Sequence, residues 1–145
     1  MFMTSLPIQA ISAFISVYYY KENSSHIETK IYEYICDIYD GKIIRNIRKI
    51  LNGKELDIYL PDLKLAFEIN GDFWHLNPKI YGVDYEYKGR TVESEKQRRD
   101  KKTNLAKSKG IELIHIWQYD WNNNQESVKK LIKDTIIKHY KYIIE

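Results

Sequence analysis

The chain has 145 residues, 43% of them hydrophobic, which suits one compact domain spanning 1–145 and leaves no material for a second core. No apolar run reaches the roughly 18 residues of a membrane span, Pro7 to Tyr20 lacks the basic start and cleavage site of a signal peptide, and the single Cys36 excludes an intramolecular disulfide and a cysteine-rich zinc site, so a reducing, cytoplasmic setting is expected. The net charge is only +3, yet acids crowd residues 1–40 while bases crowd 42–54 and 88–109, a segregation that suits a polyanionic partner as readily as a solvated lysine-rich surface.

Residues 1–24 have no firm structural signal, and 5–20 fit helix or strand equally. Residues 26–39 read as a helix, because Ile27, Ile31, Tyr34, Ile35 and Ile38 recur at helical spacing. Ser25 and Glu28 fit a capping box, and Asp40-Gly41 ends the helix. Ile43 to Ile50 reads as a strand closed by the turn signal Leu51-Asn52-Gly53. Two further strands meet at Pro61-Asp62. In the first, Leu56, Ile58 and Leu60 alternate with Glu55, Asp57 and Tyr59. In the second, Leu63, Leu65, Phe67 and Ile69 alternate with Lys64, Ala66, Glu68 and Asn70. Gly71 to Glu93 is read as a long loop, functional or mobile. Ser94 to Lys109 is a polar, basic helix stopped by Gly110. Residues 111–117 form a buried strand, whose preceding helix implies a crossover and a parallel neighbour. His115 is taken as a packed residue of that strand. Val128, Leu131, Ile132, Thr135, Ile136, His139 and Tyr140 mark a C-terminal helix within 122–145. The three tryptophans are read as core.

The order helix, three strands, helix, strand, helix predicts an α/β domain with a mixed β-sheet flanked by helices. A hairpin symmetric about Pro61-Asp62 sets Asp57 opposite Ala66 and Glu55 opposite Glu68. Asp57 and Glu68 are then diagonal neighbours at roughly 7–8 Å. Like charges there repel and give a sheet nothing, and Asp is disfavoured mid-strand. A hard cation such as Mg2+ relieves that repulsion, because it prefers carboxylate oxygens.

The run Glu55-Leu56-Asp57-Ile58-Tyr59, then Glu68-Ile69-Asn70-Gly71, Phe73-Trp74-His75, Arg99-Asp100 and Gly110 to Trp117 resembles the PD-(D/E)XK nuclease superfamily. Asn70 stands where that superfamily usually has Lys, and the pattern looks like its very-short-patch-repair-like branch, which includes the Glu-Asp-x-His-Asp phage homing endonucleases. The resemblance covers about residues 25–121 and implies a restriction-endonuclease-like core there. It implies catalytic roles for Glu28, Asp57, Glu68, His75 and Asp100. Asp57 and Glu68 would hold Mg2+, with Mn2+ as a substitute. His75 would act near the attacking water in place of the missing Lys, and Asp100 would orient His75. A histidine near its ordinary pKa accepts a proton at neutral pH.

Other readings of the same residues remain. Glu28 is equally a cap for Ser25, Asp100 equally a surface partner of Lys96, and Glu55 an exposed carboxylate. Lys96, Arg98, Arg99, Lys102, Arg45 and Arg48 are the expected DNA contacts or a solvated basic face. The expected function is a metal-dependent endonuclease acting on double-stranded DNA, without a membrane partner and as a homodimer if both strands are cut in one visit. A mismatch-nicking repair enzyme, an RNA nuclease and a non-catalytic nucleic-acid-binding module are the alternatives.

Overall fold

The structure, a computed structural model, describes residues 25–144; the readings for residues 1–24 lie outside it. Helix α1 (25–38) buries Ile27, Ile31 and Ile35, four residues apart, on one face. Strands β1 (Ile44–Leu51) and β2 (Lys54–Leu60) form an antiparallel hairpin. Asn52 (φ 52°) and Gly53 (φ 88°) supply the two positive-φ residues that its tight turn demands. Strand β3 (Leu65–Asn70) is buried along its whole length, as expected for a strand covered on both faces.

After β3 come two short strands, β4 (Glu86–Tyr87) and β5 (Arg90–Thr91), paired as a small separate hairpin. Helix α2 (Val92–Ser108) begins two residues earlier than the sequence suggested, at a capping box between Thr91 and Ser94. Strand β6 (Glu112–Trp117) runs parallel to β3, with Glu68 level with His115. The C-terminal helical region is split into α3 (Gln118–Asn123) and α4 (Gln125–Ile144), so helical structure starts ahead of residue 122.

The four-stranded mixed sheet has the order β1-β2-β3-β6. One core layer joins Ile31 and Ile35 of α1 and Ile132 of α4 to Ile58, Phe67 and Ile69 of the sheet. The other layer is thinner: Leu51, Tyr59, Ala66 and Leu113 meet Ala106 of α2. Leu56 belongs to this second layer, apart from Ile58 and Leu60, so the simple alternation in β2 breaks at Asp57. Only Glu95 and Ala106 of α2 are buried. An amphipathic core helix buries a continuous apolar stripe; α2 instead meets the sheet largely through polar side chains, and the site lies there. Among the described residues no helix is long and apolar enough to cross a membrane.

Candidate active site

β2 and β3 form the floor. Their ladder runs Leu60↔Leu65, Tyr59↔Ala66, Ile58↔Phe67, and one further step sets Asp57 against Glu68. The expected register, with Asp57 opposite Ala66 and Glu55 opposite Glu68, is therefore corrected by two residues. The connection is wider than a two-residue turn: Pro61–Leu63 form a 3-10 turn and Lys64 adopts φ 50°. The two acids become a direct cross-strand pair in place of a diagonal one.

Asp57 Oδ2 accepts a 2.8 Å hydrogen bond from the Ile69 amide. Burial and then the facing Glu68 push the Asp57 carboxyl from 3.8 up to about 7, and the Ile69 amide opposes them. Burial raises Glu68 as well, opposed chiefly by Lys102 of α2, whose ammonium donates to Glu68 Oε1. Glu68 Oε2 is buried with no hydrogen-bond partner.

Two places along the same face of β3 lies Asn70, fully buried. Its Nδ2 donates to His115 Nδ1 at 3.1 Å, and its Oδ1 is also buried without a partner. The other ring nitrogen of His115 meets Thr103 Oγ1 of α2 at 2.7 Å. His115, read from the sequence as a packed strand residue, thus belongs to the site. The clue was its level position beside Glu68 in a parallel pair, which no single strand shows by itself.

His75 follows β3. Its amide donates to the Gly71 carbonyl at 3.0 Å, and its own carbonyl accepts from Arg99 Nη1 at 2.8 Å. Burial, then the positive charges of Arg99 and Lys102, lower its pKa from 6.5 to about 4. The expectation of a histidine near its ordinary pKa is corrected accordingly: His75 is neutral throughout the physiological range, but a weak base. The segment that carries it is a built loop. Phe73 packs edge-on against Trp74, Tyr81 and Tyr87 at centroid distances of 5.4, 6.2 and 4.9 Å. Arg90 lies within 5.9 Å of the rings of Phe73, Trp74 and Tyr87 and donates to the Trp74 carbonyl. Trp74 itself is 36% exposed, whereas Trp121 is buried, so the reading of all the tryptophans as core fails at Trp74.

Glu68, Asn70, His75 and His115 line an open cleft of about 530 Å³ whose walls carry Arg48, Arg98, Arg99, Lys101 and Lys102. Asp57 is not part of the cleft wall. Glu28 Oε1 accepts from Arg45 at 3.0 Å and from Asn46 at 3.5 Å. Asn46 also donates to Glu55, which pairs with Arg48 at 2.9 Å. The Glu28 carboxylate lies close enough to Asp57 to raise its pKa.

Asp100 makes its hydrogen-bonded contact with Lys96, at 2.7 Å on the exposed side of α2, and its charge also raises the His115 pKa. Asp100→Asn is accordingly expected to leave the urea unfolding midpoint close to that of wild type and to change any cleavage rate on plasmid substrate by less than about threefold. Each expected DNA contact has an internal partner: Arg45 and Glu28, Arg48 and Glu55, Lys96 and Asp100, Arg98 and Glu95, Lys102 and Glu68, Arg99 and the His75 carbonyl. Arg48, Lys96 and Arg98 keep most of their side-chain surface, 67%, 59% and 73%, and are the ones placed to exchange partners.

Among the described residues no three His, Cys, Asp or Glu side chains gather into a ready metal cage. The donors are two carboxylates, one with an orphaned oxygen, and an orphaned amide oxygen. That set suits a hydrated hard cation such as Mg2+, which keeps several waters and takes one or two carboxylates. No family model matches the chain, and no curated protein matches it. Among solved structures, the chain is similar to one described as the homing endonuclease I-Bth0305I catalytic domain, with 24% identity and a TM-score of 0.48 over 77% of this chain and 94% of that one.

Proposed function

We propose that the chain is a Mg2+-dependent endonuclease that hydrolyses phosphodiester bonds in double-stranded DNA. The observation that carries this is half-buried Asp57 beside buried Glu68, whose Oε2 has no partner and which lines a cleft with basic walls. Two adjoining acids with raised pKa values, one buried and one half-buried, are a poor structural device and a good cation site. The motif resemblance on Asp57, Glu68 and His75 agrees with it.

In this reading Asp57 and Glu68 hold the cation. A bound Mg2+ supplies Lewis acidity toward a phosphate oxygen and a more acidic water. His75, neutral and lining the cleft, accepts a hydrogen bond from the attacking water. A docked phosphate offsets the positive charges that weaken His75 as a base and so moves its pKa back toward the ordinary value. Arg48, Arg98 and Lys101 track the backbone, while Arg99 holds the His75 carbonyl. With one site per chain, double-strand cleavage takes two copies or two visits.

The Glu68–Lys102 contact supports a second reading, in which Lys102 neutralises the acids permanently and the cleft only binds nucleic acid. Supercoiled plasmid separates the two. With Mg2+ the protein is expected to nick or linearise it, with no conversion in EDTA. Binding without conversion across Mg2+ and Mn2+ titrations would leave the binding module as the answer. In either case, three phosphate contacts predict that the logarithm of affinity falls with the logarithm of salt at a slope of about −3. A flat salt response would exclude both.

A further inference from the structure

The Asn70–His115–Thr103 chain is more than packing. An amide nitrogen can only donate, so the 3.1 Å contact from Asn70 Nδ2 makes His115 Nδ1 an acceptor. The ring proton then sits on Nε2 and donates to Thr103 Oγ1 at 2.7 Å. Both ring nitrogens are used, and the Asn70 amide is held in one of its two orientations. In that orientation Asn70 Oδ1 is buried and unpartnered, as is Glu68 Oε2 two residues away on the same strand face. Both residues line the cleft. A fully buried amide oxygen left without a donor is unfavourable, and turning the amide over would only exchange it for an orphaned NH2.

We propose that His115 is a positioning residue that locks the Asn70 amide with its oxygen toward the cleft, making Asn70 Oδ1 a third oxygen for the cation held by Asp57 and Glu68. This rests on the metal-site reading above. It assigns to Asn70 the part of a neutral oxygen donor. It assigns to Thr103, on α2, the part of fixing the His115 tautomer, as partners of ligand side chains commonly do in metal sites.

The tautomer is tested without any metal. Two-bond 1H–15N correlation spectra of the metal-free protein at neutral pH are expected to show the His115 proton on Nε2. A proton on Nδ1 would mean that the ring donates to the Asn70 oxygen, and would overturn the proposal. Cation affinity is tested with Mn2+ alone, by calorimetry or electron paramagnetic resonance, without DNA. Asn70→Ala and His115→Gln are expected to weaken Mn2+ binding about tenfold, because Gln places its amide near Nε2 and leaves Asn70 unanchored. His115→Asn places an oxygen near Nδ1 and is expected to recover most of that loss. A merely structural role would not separate these two variants when their unfolding midpoints are similar. Equal Mn2+ affinity in wild type, His115→Gln and Asn70→Ala, with affinity lost in Asp57→Asn, would sink the role of His115 and leave the metal site standing. Absence of Mn2+ binding in the wild type would remove the metal site and this proposal together.

Discussion

Asp57→Asn is expected to abolish cleavage and, in the same protein, to raise metal-free stability at pH 8. The first effect follows from removing one of two carboxylates that hold the cation. Lewis-acid stabilisation is worth several kcal/mol, so losing it lowers the rate by about 10³-fold or more. The second follows from linkage. The Asp57 pKa rises on folding from 3.8 to about 7. The native state therefore binds more protons than the unfolded chain between those values, and stability falls as pH climbs through that window. Holding the carboxylate ionised above pH 7 costs on the order of 4 kcal/mol at most, shared with Glu68 because the pair titrates together. Asparagine keeps an oxygen for the Ile69 amide and removes the charge. Urea unfolding should show wild type losing stability from pH 5 to pH 8, with the variant flatter and about 1–2 kcal/mol above it at pH 8. Millimolar Mg2+ should narrow the gap by stabilising only the wild type. A variant that is less stable at pH 8, or that still cuts, would show that the acid is a structural partner.

The strand placement of the two acids is legible in the sequence, and the features that are not have identifiable physical causes. Alternation along β2 and β3 placed Asp57 and Glu68 on neighbouring strands, and the helix ahead of β6 implied the parallel pairing that is observed. The register was missed because Pro61-Asp62 reads as a two-residue turn, while the chain spends four residues there. Lys64 takes a positive φ that nothing in a lysine advertises. That shift by two residues turned a diagonal pair of acids into a facing pair, which strengthens the electrostatic argument. His115 reads as a packed strand residue because it alternates with Leu113 and Trp117. Its meaning comes from Glu68 and Asn70, forty-odd residues away, through a register that only folding sets. The role expected of Asp100 depends on a contact between distant parts of the chain, whereas its contact with Lys96 is local, at i and i+4. Local contacts can be read from spacing, but separation in space cannot.

Lys102→Met tests what the ammonium over Glu68 does, and its effect is expected to change with both pH and metal. The Lys102–Glu68 pair is largely out of water, with 17% and 10% of the side-chain surfaces exposed. Methionine fills the space of the lysine stem and removes only the charge. It leaves Glu68 buried beside Asp57 with no cation near either, and removing one partner of such a pair costs about 3–5 kcal/mol. The loss should be near the lower figure, because both acids can take up protons: Lys102 lowers the pKa of each, so both rise in the variant. The destabilisation is therefore largest at pH 8 and shrinks toward pH 5, where protonated carboxyls need no counter-ion. His75 moves the same way, upward from about 4, since Lys102 is one of the charges holding it down. Metal decides between the two functions. If Glu68 is a ligand, Lys102 competes with the cation for it, and the variant should bind Mn2+ more tightly and recover stability as Mn2+ is added. If Lys102 is the permanent counter-ion of a binding cleft, Mn2+ restores nothing. Adding Glu68→Gln to the variant should bring back most of the lost stability in a double-mutant cycle. A Lys102→Met protein as stable as wild type at pH 8 would show that the acids never needed the ammonium.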